Sequence, residues 1–223
     1  MSSKSIVVNA LTFARVPLIF LWAVFAVWEE LVVGGPNGGP APTLAVLASI
    51  AMLLSGLTDL WDGQLARKWN VVSTLGKMAD PLMDKVFYLV AFPVLVWQSV
   101  HSGAGEVQSL ALLALTILYL LRDTWVTFLR SVAAMFGADV SAMWIGKVRT
   151  ALSFPGAGWI YAWLCFRAFA PFRADNALVN VVWPASVLFV EALLAVLTIA
   201  SLVVYTRAYA SYLKRALEQI EDL

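Results

Sequence analysis

The chain has 223 residues, of which 61% are hydrophobic and 13% charged, with a formal net charge of +1. Soluble domains carry about a quarter charged residues, so this is the composition of a protein with several membrane spans. So small a net charge gives no basis for nucleic-acid binding, and the single cysteine, Cys165, excludes an internal disulfide and reads as packing.

The first ten residues read as an interfacial lead-in to a helix capped at Asn9 or Thr12. They do not read as a cleaved signal, because Arg15 interrupts the apolar run and no small-residue cleavage site precedes it. Crossing a hydrocarbon core of about 30 Å takes roughly 20 apolar residues. Six segments qualify, at about 11–33, 43–66, 81–100, 109–130, 150–170 and 183–206. The expected fold is an all-α integral membrane protein with six transmembrane helices, forming one domain over 1–223 without internal repeats. Gly34-Gly-Pro-Asn-Gly-Gly-Pro-Ala-Pro42 is a breaker-rich turn between the first two spans, and 137–147 is an interfacial stretch before the fifth.

Lysine and arginine placement sets the orientation. One side receives Lys4, Arg15, Arg67, Lys68, Lys77, Lys85, Arg122, Arg130, Lys147, Arg149, Arg207, Lys214 and Arg215, whereas the other receives only Arg167 and Arg173. That excess puts both termini at the cytoplasmic face, in agreement with an even number of spans. Trp28, Trp69, Trp97, Trp144 and Trp183 fall near span ends, where aromatic belts form.

At the inner end of the second span the sequence turns acidic. Asp59 and Asp62 are followed by Gly63, Ala66 and Arg67; after a gap of eight residues come Gly76, Asp80 and Asp84. A carboxylate at mid-bilayer costs roughly 2.5–3.5 kcal/mol on insertion scales, so such residues need partners and normally carry function. Spacings of three and four put each set on one helix face, and two helices joined by a short basic turn can face their acids toward each other. Pro81 fits if Asp80 lies in the first turn of its helix. Hard oxygen donors with no His or Cys cluster nearby select Mg²⁺ or a similar ion. The small residues Gly63, Ala66 and Gly76 leave room for a ligand, and Arg67 can grip a phosphate. Acids at helix ends are often only solvated, but eight specified positions match by chance about once in 10⁹ starts or more rarely.

The string from Asp59 to Asp84 resembles the signature of the CDP-alcohol phosphotransferases. That resemblance implies a six-span fold with a metal and CDP site at the cytoplasmic side. It further implies that Asp59, Asp62 and Asp80 hold Mg²⁺ or Mn²⁺, and that Asp84 joins the metal cluster or acts as general base. The CDP-lipid would lie against Asp59, Asp62, Gly63, Ala66, Arg67 and Gly76. A bacterial cytoplasmic membrane and a homodimer are expected on the same ground.

The acceptor is addressed by a third cluster. Arg122-Asp123 is followed by Arg130, and Trp144-Ile-Gly146-Lys147-Val-Arg149 opens the fifth span. A neutral alcohol needs none of these cations, whereas an acceptor bearing its own phosphate does, so Arg122, Arg130, Lys147 and Arg149 are the candidate acceptor-phosphate residues. Loop cations also serve as topology signals and headgroup contacts. These segments, with Asn9-Ala-Leu-Thr12-Phe-Ala-Arg15, are similar to the phosphatidylglycerophosphate-forming branch of the family. Asp123 in place of Glu, Ser153 in place of Gln and Val8 in place of Pro depart from its pattern. The implied substrates are CDP-diacylglycerol and sn-glycerol 3-phosphate. Phosphatidylglycerol or inositol phosphate as acceptor are the alternatives, and a divalent-cation carrier is the reading from another class. Glu191, the main acid elsewhere in the spans, is expected to meet a base or to sit near the lipid.

Overall fold

In the computed structural model, which describes residues 3–33, 41–71, 74–168 and 181–221, the described residues form six α-helices and no strand. They are α1 (Ser3–Val33), α2 (Pro42–Trp69), α3 (Thr74–His101), α4 (Glu106–Met135), α5 (Trp144–Ala168) and α6 (Trp183–Glu221). All except α5 are long and apolar enough to cross a membrane, making this an integral membrane protein. The 25 residues of α5 would reach across, but Gly146, Lys147, Arg149, Pro155, Gly156 and Gly158 dilute its apolar content. The Gly34–Pro42 turn up to residue 40, Arg173, and the side chains of Lys77, Asp80 and Arg167 lie outside the described residues.

The helices extend beyond the apolar runs. Since α1 starts at Ser3, Asn9 and Thr12 lie inside it and cap nothing; both are buried. The interfacial stretch at 137–147 is shorter than expected, because α5 begins at Trp144. Likewise α3 begins at Thr74, which puts Asp80 in its second turn and not its first. α6 runs 15 residues past the expected end at 206, to Glu221. Its tyrosines Tyr205, Tyr209 and Tyr212, spaced by four and three, keep one aromatic face where the apolar run stops.

Two helix ends matter for the site. Asn70 at φ 51° closes α2, with its N–H bonded to Arg67 O and the Val71 N–H to Ala66 O. Gly137 at φ 72° closes α4 in the same way, with its N–H to Ala134 O and the Ala138 N–H to Ala133 O. Both are left-handed caps that satisfy the last carbonyls and turn the chain sharply.

The core joins Ile19, Trp22 and Ala26 of α1 to Ala48 and Ala51 of α2, Phe92 and Leu95 of α3, Leu112 and Tyr119 of α4, and Ile160 and Trp163 of α5. Alanines on the facing stripes let α1 and α2 pack closely. Gly156 does the same for α5 and α6, since a Cβ there would lie 3.0 Å from Leu194 Cδ1. Leu53, Leu121, Phe189 and Val196 face outward, as lipid-facing side chains should. Far from the aspartates, Glu29 is buried against Tyr161 Oη (3.4 Å) and Cys165 Sγ (3.6 Å). Glu191 accepts from Gln108, an amide partner and not the expected base. His101 is the last residue of α3 and stacks on Trp97.

Candidate active site

The aspartates of α2 and α3 meet around one residue of α1. Arg15 Nη2 pairs with Asp59 Oδ1 and lies 3.3 Å from Asp62 Oδ2, while Nη1 lies 3.3 Å from Asp84 Oδ1. Thr12, one turn before Arg15, donates its hydroxyl to Asp62 Oδ2 at 2.8 Å. Arg15 and Asp62 are buried, whereas the Asp59 and Asp84 side chains are 54% and 35% exposed. This gradient leaves a closed end at α1 and an open mouth on the side of Asp59 and Asp84.

Three carboxylates directed at one positive charge are the hard-oxygen donors that suit Mg²⁺. While Arg15 stands between them, no three acids among the described residues are set to ligate a single ion. Asp80 lies on the same helix as Asp84, one turn earlier, and its carboxylate lies outside the described residues.

The basic cluster is built across α4, α5 and α6. Asp123 Oδ1 accepts from Arg122 Nη1 at 2.7 Å and from Arg149 Nη2 at 3.0 Å. Arg122 also donates to Ser201 Oγ of α6, from Nε at 3.1 Å and from Nη2 at 2.5 Å. The Arg149 guanidinium lies 4.5 Å from the Tyr119 ring centroid and 5.2 Å from that of Tyr88. Both arginines and Asp123 are buried, so each depends on the others: removing one member of a buried ion pair costs about 3–5 kcal/mol. Arg149 Nε and Nη1 are buried and have no hydrogen-bond partner in the protein. Two fixed N–H groups of this kind are suited to an oxyanion.

One cavity of about 450 Å³ joins the two clusters. Asp59, Asp62, Gly63 and Asp84 line it on one side, and Arg122, Arg130, Lys147 and Arg149 on the other. Lys147 is exposed and Arg130 half-buried, so these two form the outer part of the basic wall. Ala66 and Arg67 are not on the lining; Arg67 Nε turns back to Gly63 O at 3.1 Å on its own helix. Gly76 lies on the first turns of α3 and, like Asp80, contributes no described contact.

In the sequence Thr12 reads as a cap and Arg15 as a topology charge, both within the segment 9–15 that is similar to one branch of the family, and Asp123 reads as an acid beside Arg122 that departs from the branch pattern. Tyr88, Tyr119, Ser201 and Tyr205 carry no such reading. A signal existed for Arg15: it is a charge inside an apolar run, one turn after a hydroxyl, and such residues need a partner. For Ser201 and Tyr205 the signal is a polar face, spaced by four, on the last helix.

A family model described as CDP-alcohol phosphatidyltransferase matches residues 5–199. The chain is 32% identical over 146 residues to the CDP-diacylglycerol--glycerol-3-phosphate 3-phosphatidyltransferase of Bacillus subtilis (strain 168), covering 64% of this chain and 69% of that protein. Proteins of the same name from Escherichia coli (strain K12) and Salmonella typhimurium are 31% identical over 115 residues and 30% identical over 117 residues. Those alignments cover 51% and 52% of this chain, and 59% and 60% of the respective relatives, so the chain spans about three fifths of their length.

Proposed function

The chain belongs to the CDP-alcohol phosphatidyltransferase family, and we propose that it moves a phosphatidyl group from CDP-diacylglycerol to sn-glycerol 3-phosphate, giving phosphatidylglycerophosphate and CMP. The observation that carries this reading is one cavity shared by Asp59, Asp62 and Asp84, gathered about Arg15, and by Arg122, Arg130, Lys147 and Arg149. Such a space accepts two phosphate-bearing substrates side by side. An acceptor without its own charge would leave the buried, unpartnered N–H groups of Arg149 unused.

Asp59, Asp62 and Asp80 would hold a divalent cation, Mg²⁺ or Mn²⁺, whose charge when bound would polarise the diphosphate of the CDP-lipid. Of the two roles open to Asp84, metal ligand or base, the second fits its place at the cavity mouth. Arg149 and Arg122 would receive the acceptor phosphate, with Lys147 and Arg130 adding charge at the outer wall. That phosphate would anchor the acceptor so that its free primary hydroxyl faces the aspartates. Asp84, partly exposed at the cavity mouth, would take the hydroxyl proton as the oxygen bonds to the phosphorus of the diacylglycerol phosphate. The bond from that phosphorus to CMP breaks, CMP leaves as an anion, and Asp84 returns its proton to solvent. Gly63 leaves the α2 wall open to the nucleotide, and Gly76, Ala66 and Arg67 are assigned to the same CDP-lipid by the family signature alone.

In the bilayer, all six helices would span, with α5 satisfied by its neighbours, and the cavity and both termini would face the cytoplasm of a bacterial cell. The enzyme is expected to act as a homodimer. The test is an acceptor panel: purified protein and CDP-diacylglycerol with glycerol 3-phosphate, inositol phosphate, serine or phosphatidylglycerol in turn. Release of CMP with glycerol 3-phosphate alone is the expected result. Turnover only with another acceptor would move the assignment within the family, and no CMP with any would favour a carrier.

A further inference from the structure

The basic wall of the cavity is held by a residue of α6. Tyr205 lies beyond residue 199, where the family match ends, yet it lines the cavity. Its oxygen accepts the Met143 N–H at 2.7 Å. Met143 is the residue before α5, and its carbonyl in turn accepts the N–H groups of Gly146 (3.0 Å) and Lys147 (3.2 Å). The Tyr205 hydroxyl therefore fixes the cap of the helix that carries Lys147 and Arg149. The ring of Tyr205 lies 5.0 Å from the Arg122 guanidinium. The three groups meet at Gly146, where an added Cβ would come within 2.9 Å of Tyr205 Oη and 3.3 Å of Arg122 Nη2. A second tie comes one turn later, where Tyr209 donates to Asp139 O at 3.3 Å.

We propose that Tyr205 is the positioning residue of the acceptor half of the cavity: its hydroxyl sets the start of α5 and its ring sets Arg122, so that Arg122, Lys147 and Arg149 keep one mutual arrangement. The proposal rests on the reading of that wall as the acceptor-phosphate site. It places the control of acceptor affinity on α6 beyond residue 199, away from the aspartates.

The test compares full-length wild type, Tyr205→Phe and Tyr205→Leu by steady-state kinetics, varying CDP-diacylglycerol and acceptor separately. Phe keeps the ring on Arg122 and loses only the bond to Met143, so the acceptor KM should rise roughly five- to tenfold. Leu loses both contacts and should raise it further, while the KM for the CDP-lipid and kcat stay within about twofold of wild type. Gly146→Ala should also raise the acceptor KM, and its penalty should shrink in the Tyr205→Phe background, where the clashing oxygen is gone. An unchanged acceptor KM in Tyr205→Phe, equal changes in both KM values, or strict additivity with Gly146→Ala would overturn the proposal. Wild type in the same assay keeps the two readings apart. If it turns over only with an acceptor other than glycerol 3-phosphate, the assigned substrate fails, and the Tyr205 comparison is made with the acceptor that works.

Discussion

Arg15→Ala perturbs the aspartate cluster at its centre. Arg15 is the counter-ion shared by Asp59, Asp62 and Asp84, and its side chain is 4% exposed. Breaking a buried ion pair costs about 3–5 kcal/mol. The lower end applies here, because Asp59 and Asp84 are partly open to water and only Asp62 is fully enclosed. A loss of about 3 kcal/mol corresponds to a fall of roughly 6–12 °C in the unfolding midpoint of a chain this size. That value holds for protein in chelator, where nothing else offsets the three negative charges. A divalent cation on the same carboxylates would restore the balance, so with Mg²⁺ in excess the fall should shrink to less than about half. Thermal unfolding of detergent-solubilised wild type and variant, each in EDTA and in Mg²⁺, reads this directly. An equal fall under both conditions would refute the shared role of Arg15 and the metal, as would no fall in either.

Lys147→Ala should raise the KM for the acceptor more than that for the CDP-lipid, since Lys147 lines the basic wall and is exposed; equal effects on both would remove it from the acceptor site. Asp123→Asn should destabilise the protein by about 3 kcal/mol and weaken acceptor binding together, because it leaves two buried guanidiniums without their shared carboxylate. Restoration by Asp123→Glu, read by thermal unfolding and acceptor KM, is the expected companion result, and near-wild-type behaviour of Asp123→Asn, which keeps the shape and loses the charge, would argue for a purely steric role. Gly56→Ala should cost about 1–3 kcal/mol, since its Cβ would come within 2.5 Å of the Phe154 ring, which is itself held by Phe87. Gly158→Ala, whose Cβ would meet Met52 Cε at an ordinary 3.7 Å, is the control that should unfold near the wild-type midpoint.

The helices were legible because apolar runs of membrane length announce themselves. Their ends were not, because α1 and α6 continue as amphipathic helices after the hydrophobic signal stops, from Ser3 and to Glu221. The aspartate motif was legible through its spacing of three and four, a property of single helices. Its counter-ion was not, because Arg15 is 44 to 69 residues away in sequence from the acids it pairs with. Periodicity says which face a residue occupies and nothing about which helix that face meets. The same limit hid the Ser201 and Tyr205 contacts to Arg122, which cross from α6 to α4. Asp123 shows the limit from the other side. In the sequence it is an acid beside an arginine and an Asp where the branch pattern has Glu, and its second partner, Arg149, emerges once α4 and α5 pack.

The most direct test of the account is CMP release from CDP-diacylglycerol and glycerol 3-phosphate, followed in chelator and after Mg²⁺ or Mn²⁺ is returned, for wild type and for Asp62→Asn. Asparagine keeps the shape of Asp62 and its neighbour Thr12 but removes the charge. Wild type should be silent in chelator and recover with the cation, and Asp62→Asn should stay inserted in the membrane yet release no CMP in either condition. Turnover that ignores chelation, or near-normal release by Asp62→Asn, would contradict the account.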